Sequence, residues 1–161
     1  MSDLGTIHDL SSLLADQPFF TGISQGDLEL LAGCASNAVF KRGETLFEEG
    51  QPADTFYLIR YGRVAVEIYA PQAGAITIQT LGEGDVVGWS WLFPPYRWQH
   101  DARALDLTRT LAFDGACLRG KCDEDPKLGY ELMKRFSRIM IDRLNAARLQ
   151  ILDVYGEPVH A

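Results

Sequence analysis

The side chains best suited to ligand chemistry lie in one segment, residues 82–104, which also holds all three tryptophans of the chain. Arg97, His100 and Arg103 can supply positive charge there, and a guanidinium group pairs especially well with a phosphate or carboxylate. The ordinary alternative is that these groups form weak surface ion pairs, for example with Asp101. The segment is therefore the candidate ligand site, with a small anion as one class of ligand.

The middle of this segment is predicted to form a short helix. Gly88 permits a tight turn, and Trp89, Ser90 and Trp91 stand where a helix would begin. A helix start offers unpaired N–H groups and a partial positive charge, which favour an anion. Pro94-Pro95 then ends the helix, because proline lacks the N–H group and restricts the residue before it.

No catalytic or metal-binding set stands out in the sequence. The three histidines, His8, His100 and His160, are widely separated, so no two of them are predicted to bind a metal together. No Ser-His-Asp, Cys-His or paired-carboxylate arrangement is evident either. The sequence therefore predicts neither an enzyme nor a metal site.

The middle of the chain, residues 38–114, predicts an antiparallel β-barrel. Short apolar runs alternate there with turns that contain glycine or proline, and no helical pattern separates them. Many short strands at this spacing are typical of an antiparallel sandwich or barrel. The predicted strands are Thr45–Phe47 and residues 55–59, 64–69, 75–80, 86–87, 102–107 and 110–113.

Helices are predicted on both sides of the barrel, within a single domain of residues 1–161. Before the barrel, in about residues 1–37, leucines at helical spacing predict two amphipathic helices, the second with Ser24 as its N-cap. After it, residues 115–156 predict a short helix and then a long one. The long helix runs from Pro126 to about Tyr155, which is ~45 Å.

The long helix carries apolar residues three or four positions apart, in a seam broader than one barrel can easily bury. This pattern predicts that two copies of the chain pair along the helix in a homodimer. The seam residues are Met133, Phe136, Met140, Leu144, Ala147, Ile151 and Val154.

Composition and charge exclude several classes of protein. With 161 residues, 47% hydrophobic and 23% charged, the chain fits one ordinary globular domain, and its net charge of -7 argues against general nucleic-acid affinity. No basic-then-apolar leader or membrane-spanning run is evident, so we expect a cytoplasmic protein without membrane contact. Cys34, Cys117 and Cys122 lack CxxC spacing and are predicted to be reduced, mostly buried thiols.

The segment of residues 82–104 and the strands before it resemble the cyclic-nucleotide-binding domain of the Crp/Fnr superfamily. The run Gly82-Glu83-Gly84-Asp85-Val86-Val87-Gly88 is similar to the one that leads into the phosphate-binding cassette of that family, so residues 82–104 are called the cassette segment from here on. The resemblance covers roughly residues 18–155 and implies a jelly-roll barrel flanked by helices. Its upstream matches are Phe40-Lys41-Arg42-Gly43-Glu44-Thr45-Leu46-Phe47, Glu49-Gly50, Ala53-Asp54, Phe56-Tyr57-Leu58-Ile59 and Gly62-Arg63-Val64.

The resemblance also implies that two nucleotide anchors of the family are replaced. In the family, a glutamate after the cassette glycine binds the ribose hydroxyl, and a later arginine pairs with the cyclic phosphate. Aligned without a gap between Gly88 and Ala104, this sequence has Trp89 and Trp98 at those positions, so ordinary binding of cAMP or cGMP is not expected. The tryptophans either fill the emptied pocket, which suits Trp91 best, or form an exposed aromatic surface for another ligand or a protein partner.

These features favour a non-enzymatic regulatory or accessory module that acts through a partner protein. By analogy with accessory subunits of redox complexes, including those of NAD-reducing soluble hydrogenases, an oxidoreductase or hydrogenase-type complex is one such partner. The alternative is a sensor that binds a nucleotide or other small anion through the altered cassette, and a nucleotide is the one cofactor considered. Crp/Fnr regulators have a helix-turn-helix domain after the long helix, where this chain has only residues 156–161, so DNA binding by this chain alone is not expected.

Overall fold

The computed structural model describes residues 10–155, which form two four-stranded antiparallel sheets with helices before and after them. One sheet has the strand order β1-β8-β3-β6 and the other has β2-β7-β4-β5. This is the antiparallel jelly-roll class that the sequence predicts. The strands are β1 (Ala35–Phe40), β2 (Thr45–Phe47), β3 (Thr55–Tyr61), β4 (Val64–Ala70), β5 (Gly74–Leu81), β6 (Val86–Val87), β7 (Asp101–Ala104) and β8 (Thr108–Asp114).

The helices begin where the sequence supplies caps. The hydroxyl of Ser24 accepts a hydrogen bond from the N–H of Asp27 at 3.2 Å, and the carboxylate of Asp114 accepts one from Cys117 at 3.0 Å. The predicted long helix is confirmed over its full length. The helices are α1 (described over residues 10–15), α2 (Gln25–Ala32), α3 (Gly115–Glu124) and α4 (Pro126–Tyr155), with 3₁₀ turns at Pro18–Phe20 and Ser90–Leu92.

Strand β1 is absent from the sequence prediction, and it begins at Ala35, upstream of the predicted barrel start at residue 38. Ser36 and Asn37 are exposed on this strand, so it lacks the apolar alternation by which strands are found. Its partner β8 holds it in place through a continuous antiparallel register from Ala35 with Phe113 to Phe40 with Thr108.

Two separate cores hold the fold together. The helix-side core lies between the helices and the β1-β8-β3-β6 sheet, and its centre is an aromatic cluster. The barrel core lies inside the jelly roll and includes Phe47, Val66 and Trp98. The aromatic cluster consists of Phe20, Phe56, Trp91, Phe113 and Phe136. The cassette segment therefore supplies one buried tryptophan to each core.

A disulfide joins Cys34 to Cys117, so the prediction of three reduced thiols is wrong. The β1–β8 register brings Cys34 to the start of α3, where its carbonyl accepts a hydrogen bond from the N–H of Asp114 at 2.8 Å. A sequence separation of 83 residues hides this proximity. Cys122 is a free thiol, and burial raises its pKa.

The predicted dimer seam on α4 is divided by the structure. Phe136 is fully buried in the helix-side core of its own chain, so its assignment to a dimer interface is wrong. Met140 packs partly against the same core. Farther along the helix, the side chain of Leu144 is 52% exposed and that of Val154 is 73% exposed. Homodimerisation stays a prediction, which the exposed seam residues can support: Met133, which is 38% exposed, and the later part of the seam.

Candidate functional site

The cassette segment leaves the barrel after β6 and returns to it at β7. Gly88 has φ of +97°, a conformation that side-chain-bearing residues rarely adopt. The predicted helix proves to be only the 3₁₀ turn Ser90–Leu92. Three residues align too few peptide groups to produce an appreciable helix dipole. The helix start that was predicted to bind an anion is therefore absent. The cis peptide bond Pro94-Pro95 follows the turn.

Trp98 lies inside the barrel, and its residue is only 4% exposed. Its ring stacks on Phe47 with centroids 3.6 Å apart and planes at 8°. A Cβ atom added to Gly88 would lie 2.5 Å from the indole, which shows that the ring rests directly on that glycine. Trp98 therefore fills the space beside the cassette glycine, and the hypothesis that it is an exposed docking anchor is wrong.

Trp91 is fully buried in the helix-side core, which confirms that it is a packing residue. Its ring stacks against Phe56 at 5.0 Å and meets Phe136 edge-on at 5.4 Å. The guanidinium of Arg119 on α3 donates a hydrogen bond to its carbonyl and lies 4.3 Å from the ring centre of Tyr96. These contacts fix the outward part of the cassette segment to the helices.

Trp89 is only half-buried and lines a cavity of about 440 Å³, which we call the barrel-mouth cavity. The guanidinium of Arg143 lies 5.0 Å above the Trp89 ring, within range of a cation–π contact. Strands β4 and β5 form one wall of the cavity and the later part of α4 forms the other. The lining residues are Val66, Ile78, Gln79, Trp89, His100, Arg143, Ala146, Ala147, Gln150, Ile151, Val154 and Tyr155.

The polar end of the barrel-mouth cavity combines a cation with a histidine. Burial lowers the pKa of Arg143 to about 10, although the charge of Asp85 opposes this shift. The guanidinium donates a hydrogen bond to the carbonyl of Val86. Burial also lowers the pKa of His100, so its neutral form is favoured. A ligand with a flat apolar body and an acceptor or negative group matches these surroundings.

Two of the predicted cations lie elsewhere. Arg97 is exposed, and its Nη1 donates to the carbonyl of Gly50 at 2.9 Å. Arg103 donates two hydrogen bonds, of 3.0 and 2.9 Å, to the buried carboxylate of Glu67 and lowers the pKa of that carboxyl. Neither arginine is among the residues that line the barrel-mouth cavity, and Ser90 is not either. Of the predicted ligand-binding side chains, Trp89 and His100 meet there.

Sequence reasoning missed the contribution of α4. Neither Arg143 nor Gln150 is singled out by the sequence, although Ala147, Ile151 and Val154 of the predicted seam line the same cavity. Gln150 donates to the carbonyl of Ile78 at 3.1 Å and so ties α4 to β5. The signal was available in the spacing, because Arg143 stands four residues before Ala147 and eight before Ile151, on the same side of the helix.

Within residues 10–155, no group of three His, Cys, Asp or Glu side chains is close enough to hold a metal ion. None of the helices in that part of the chain is both long and apolar enough to cross a membrane.

Comparisons with known proteins agree with this architecture. Residues 38–125, more than half of the chain, match the family described as cyclic nucleotide-binding domain. A CRP-like cAMP-activated global transcriptional regulator of Mycobacterium tuberculosis is 26% identical over 148 residues, which are 91% of this chain and 66% of that protein. The chain thus spans 66% of the length of this curated relative.

Solved structures show the same fold. A cyclic nucleotide-binding domain from Methylobacillus flagellatus has a TM-score of 0.76 at 22% identity, over 91% of this chain and 83% of that one. The regulatory domain of Toxoplasma gondii PKA, solved with cAMP, has a TM-score of 0.72 at 14% identity, over 88% and 52%. The family match over more than half of the chain shows that the chain belongs to the cyclic nucleotide-binding domain family, and the solved structures agree in fold.

Proposed function

We propose that the chain is a non-enzymatic regulatory domain that binds a small molecule in the barrel-mouth cavity and signals through α4. The observation that carries this proposal is the position of the cavity between the barrel and the later part of α4. An occupant that fills the cavity contacts both walls, for example Ile78 on β5 and Ile151 on the helix. Occupancy therefore changes what the helix packs against, which is the requirement for a signal.

The ligand is not cAMP held in the manner of the family. Trp98 fills the space beside Gly88, and Trp89 stands where the resemblance implies a glutamate. Charged hydrogen bonds contribute about 1.5–3 kcal/mol each, so losing two of them weakens binding by roughly two to four decades. The aromatic face of Trp89, the cation of Arg143 and the ring of His100 favour a planar molecule with an anionic or acceptor group, such as a nucleotide held differently.

The output surface is the later part of α4, and a homodimer through it is part of the proposal. Large apolar side chains there are exposed: Leu144 by 52%, Leu149 by 62% and Leu152 by 61%. The same exposure favours a second candidate function, an accessory subunit that docks by this surface on another protein, such as an oxidoreductase or hydrogenase-type complex.

Two neighbouring helix positions provide the test. Ala147 and Arg148 are both exposed on α4, but only Ala147 lines the barrel-mouth cavity. Ala147→Trp should fill the cavity, whereas Arg148→Trp should leave it open. Native mass spectrometry of the full chain from its own cells should show a bound small molecule in the wild-type and Arg148→Trp proteins and none in Ala147→Trp.

Light scattering of the wild-type and Arg148→Trp samples should report dimers. Calorimetry with cAMP should show no binding at micromolar concentration, and a micromolar affinity would mean that the family anchors are dispensable here. A wild-type protein without any bound small molecule, or an Ala147→Trp protein that retains it, would contradict sensing and leave the docking function as the better candidate.

A further inference from the structure

A second cavity, of about 510 Å³, lies on the other side of Arg143 and is called the arginine cavity here. It is bounded by the middle of α4, by Pro18 and Phe19, and by the end of β5 with the turn into β6. Three arginines of α4 line it: Arg135, Arg138 and Arg143. Its volume is in the range of sites that take a molecule of nucleotide size.

The positive charge of this cavity is only partly neutralised by the protein. Asp85 and Asp142 also line it, so three guanidinium groups face two carboxylates, and the charge of Asp85 acts on Arg143. Asp142 faces Arg138 at 3.8 Å in an exposed pair, which contributes little. Among the described residues, no carboxylate lies within ion-pair distance of Arg143.

Two of the guanidinium groups also have unused donors. Arg135 donates from Nη1 to the carbonyl of Phe19 at 2.8 Å, and its nearest carboxylate, that of Glu131, is 3.8 Å away. Its Nε is buried and has no hydrogen-bond partner among the described residues. Arg143 donates to the carbonyl of Val86. Each guanidinium offers five N–H donors, so both groups retain capacity for an acceptor with several oxygens.

We propose that the arginine cavity binds a small organic phosphate, at a site separate from the barrel-mouth cavity. A phosphate group presents three oxygens and up to two negative charges, so it can accept from several guanidinium groups at once and offers more acceptor oxygens and more charge than a single carboxylate. The cavity joins α4 to the turn before β6, and a bound phosphate would hold these two elements together. The site thus adds a second ligand to a domain whose proposed signal also passes through α4.

The experiment is calorimetry on the full chain with pyrophosphate, ADP and adenosine. Pyrophosphate and ADP should bind, and adenosine, which lacks phosphate, should not. Arg138 is the variant position of choice, because its side chain is 76% exposed and its removal leaves the cores intact. Arg138→Gln should weaken binding of both phosphates by about tenfold, which is the order of one charged hydrogen bond.

Matched variants separate the proposal from its rivals. Arg148→Gln removes the same charge from the same helix outside both cavities, so it should leave the affinity unchanged. An equal loss in Arg148→Gln would show non-specific attraction to the helix. Loss of pyrophosphate binding in Ala147→Trp would place the phosphate in the barrel-mouth cavity. Absence of binding at millimolar pyrophosphate and ADP, or equal binding of adenosine, would also overturn the proposal.

Discussion

Two tryptophans of the cassette segment occupy opposite environments. At what we call the closed end, Trp98 is sealed inside the barrel between Phe47 and Gly88. At the open end, Trp89 is half-buried beside His100 and under Arg143. The two environments differ because of the backbone at Gly88. This residue has no Cβ atom, so the indole of Trp98 can pack directly against it. The cassette segment is therefore closed at one end, where an indole packs on Gly88, and open at the other, where a cavity lies beside Trp89.

The largest effect is expected at the closed end. Trp98→Ala removes a buried ring from the barrel core, and truncation of a buried tryptophan costs about 3–5 kcal/mol of unfolding free energy. Urea unfolding followed by circular dichroism measures the change, and Trp98→Phe is the matched variant that keeps a ring on Phe47. A loss of about 2 kcal/mol or less in Trp98→Ala would remove the distinction between the two ends, since Trp89→Ala is expected to cost about 1–2 kcal/mol.

Gly88→Ala tests the contact that defines the closed end. The substitution strains a residue at φ of +97° and places a Cβ atom 2.5 Å from the Trp98 ring. Backbone strain alone costs about 1–3 kcal/mol, and the clash adds to it. In the Trp98→Ala background only the strain remains, so the two substitutions should be strongly non-additive. Additive free energies would mean that the ring does not rest on Gly88.

Local signals in the sequence were sufficient for most of the fold. Turn residues and short apolar runs located strands such as Thr45–Phe47 and Val86–Val87, and Asp125 with Pro126 marked the start of α4. Strand β1 was missed because it gains its stability from pairing with β8 and not from an apolar pattern of its own.

The candidate site was less predictable because it depends on which side of α4 faces the barrel. Phe136 and Arg143 both face the rest of their own chain. The spacing of apolar residues along a helix shows which side is buried, but it does not show whether the barrel or a second chain buries that side. Arg143 reaches Val86, 57 residues earlier in the sequence, and the Cys34–Cys117 disulfide spans 83 residues. Such contacts follow from tertiary packing and carry no local sequence signal.

A smaller effect is expected at the open end. Trp89→Ala removes the cation–π contact with Arg143, which contributes about 0.5–1 kcal/mol. It also removes the apolar burial of a ring that is only half-buried. The total loss of unfolding free energy should be about 1–2 kcal/mol, well below that of Trp98→Ala. Urea unfolding under the same conditions makes the comparison direct. Equal losses for the two tryptophans would show that both ends are closed.

The smallest effect concerns the pH dependence of stability at the open end. Burial lowers the pKa of His100 below the value of about 6.5 that a histidine has in an unfolded chain. The charge of Arg143 lowers this pKa as well, whereas Asp101 and Glu49 raise it. Between the folded and unfolded pKa values the unfolded chain binds more protons. The free energy of unfolding therefore falls as the pH falls below about 6.5.

His100→Gln should remove this part of the pH dependence. One proton changes the unfolding free energy by at most about 1.4 kcal/mol per pH unit, so the wild-type protein should lose up to that much more than the variant between about pH 6.5 and 5.5. His8 and His160 are present in both proteins, so their contributions cancel in the comparison. Arg143→Gln, which removes a positive charge near the ring, should flatten the dependence in part. Equal slopes in wild-type and His100→Gln proteins would show that the ring is as solvated in the folded chain as in the unfolded one, and the open end would then not be a desolvated binding cavity.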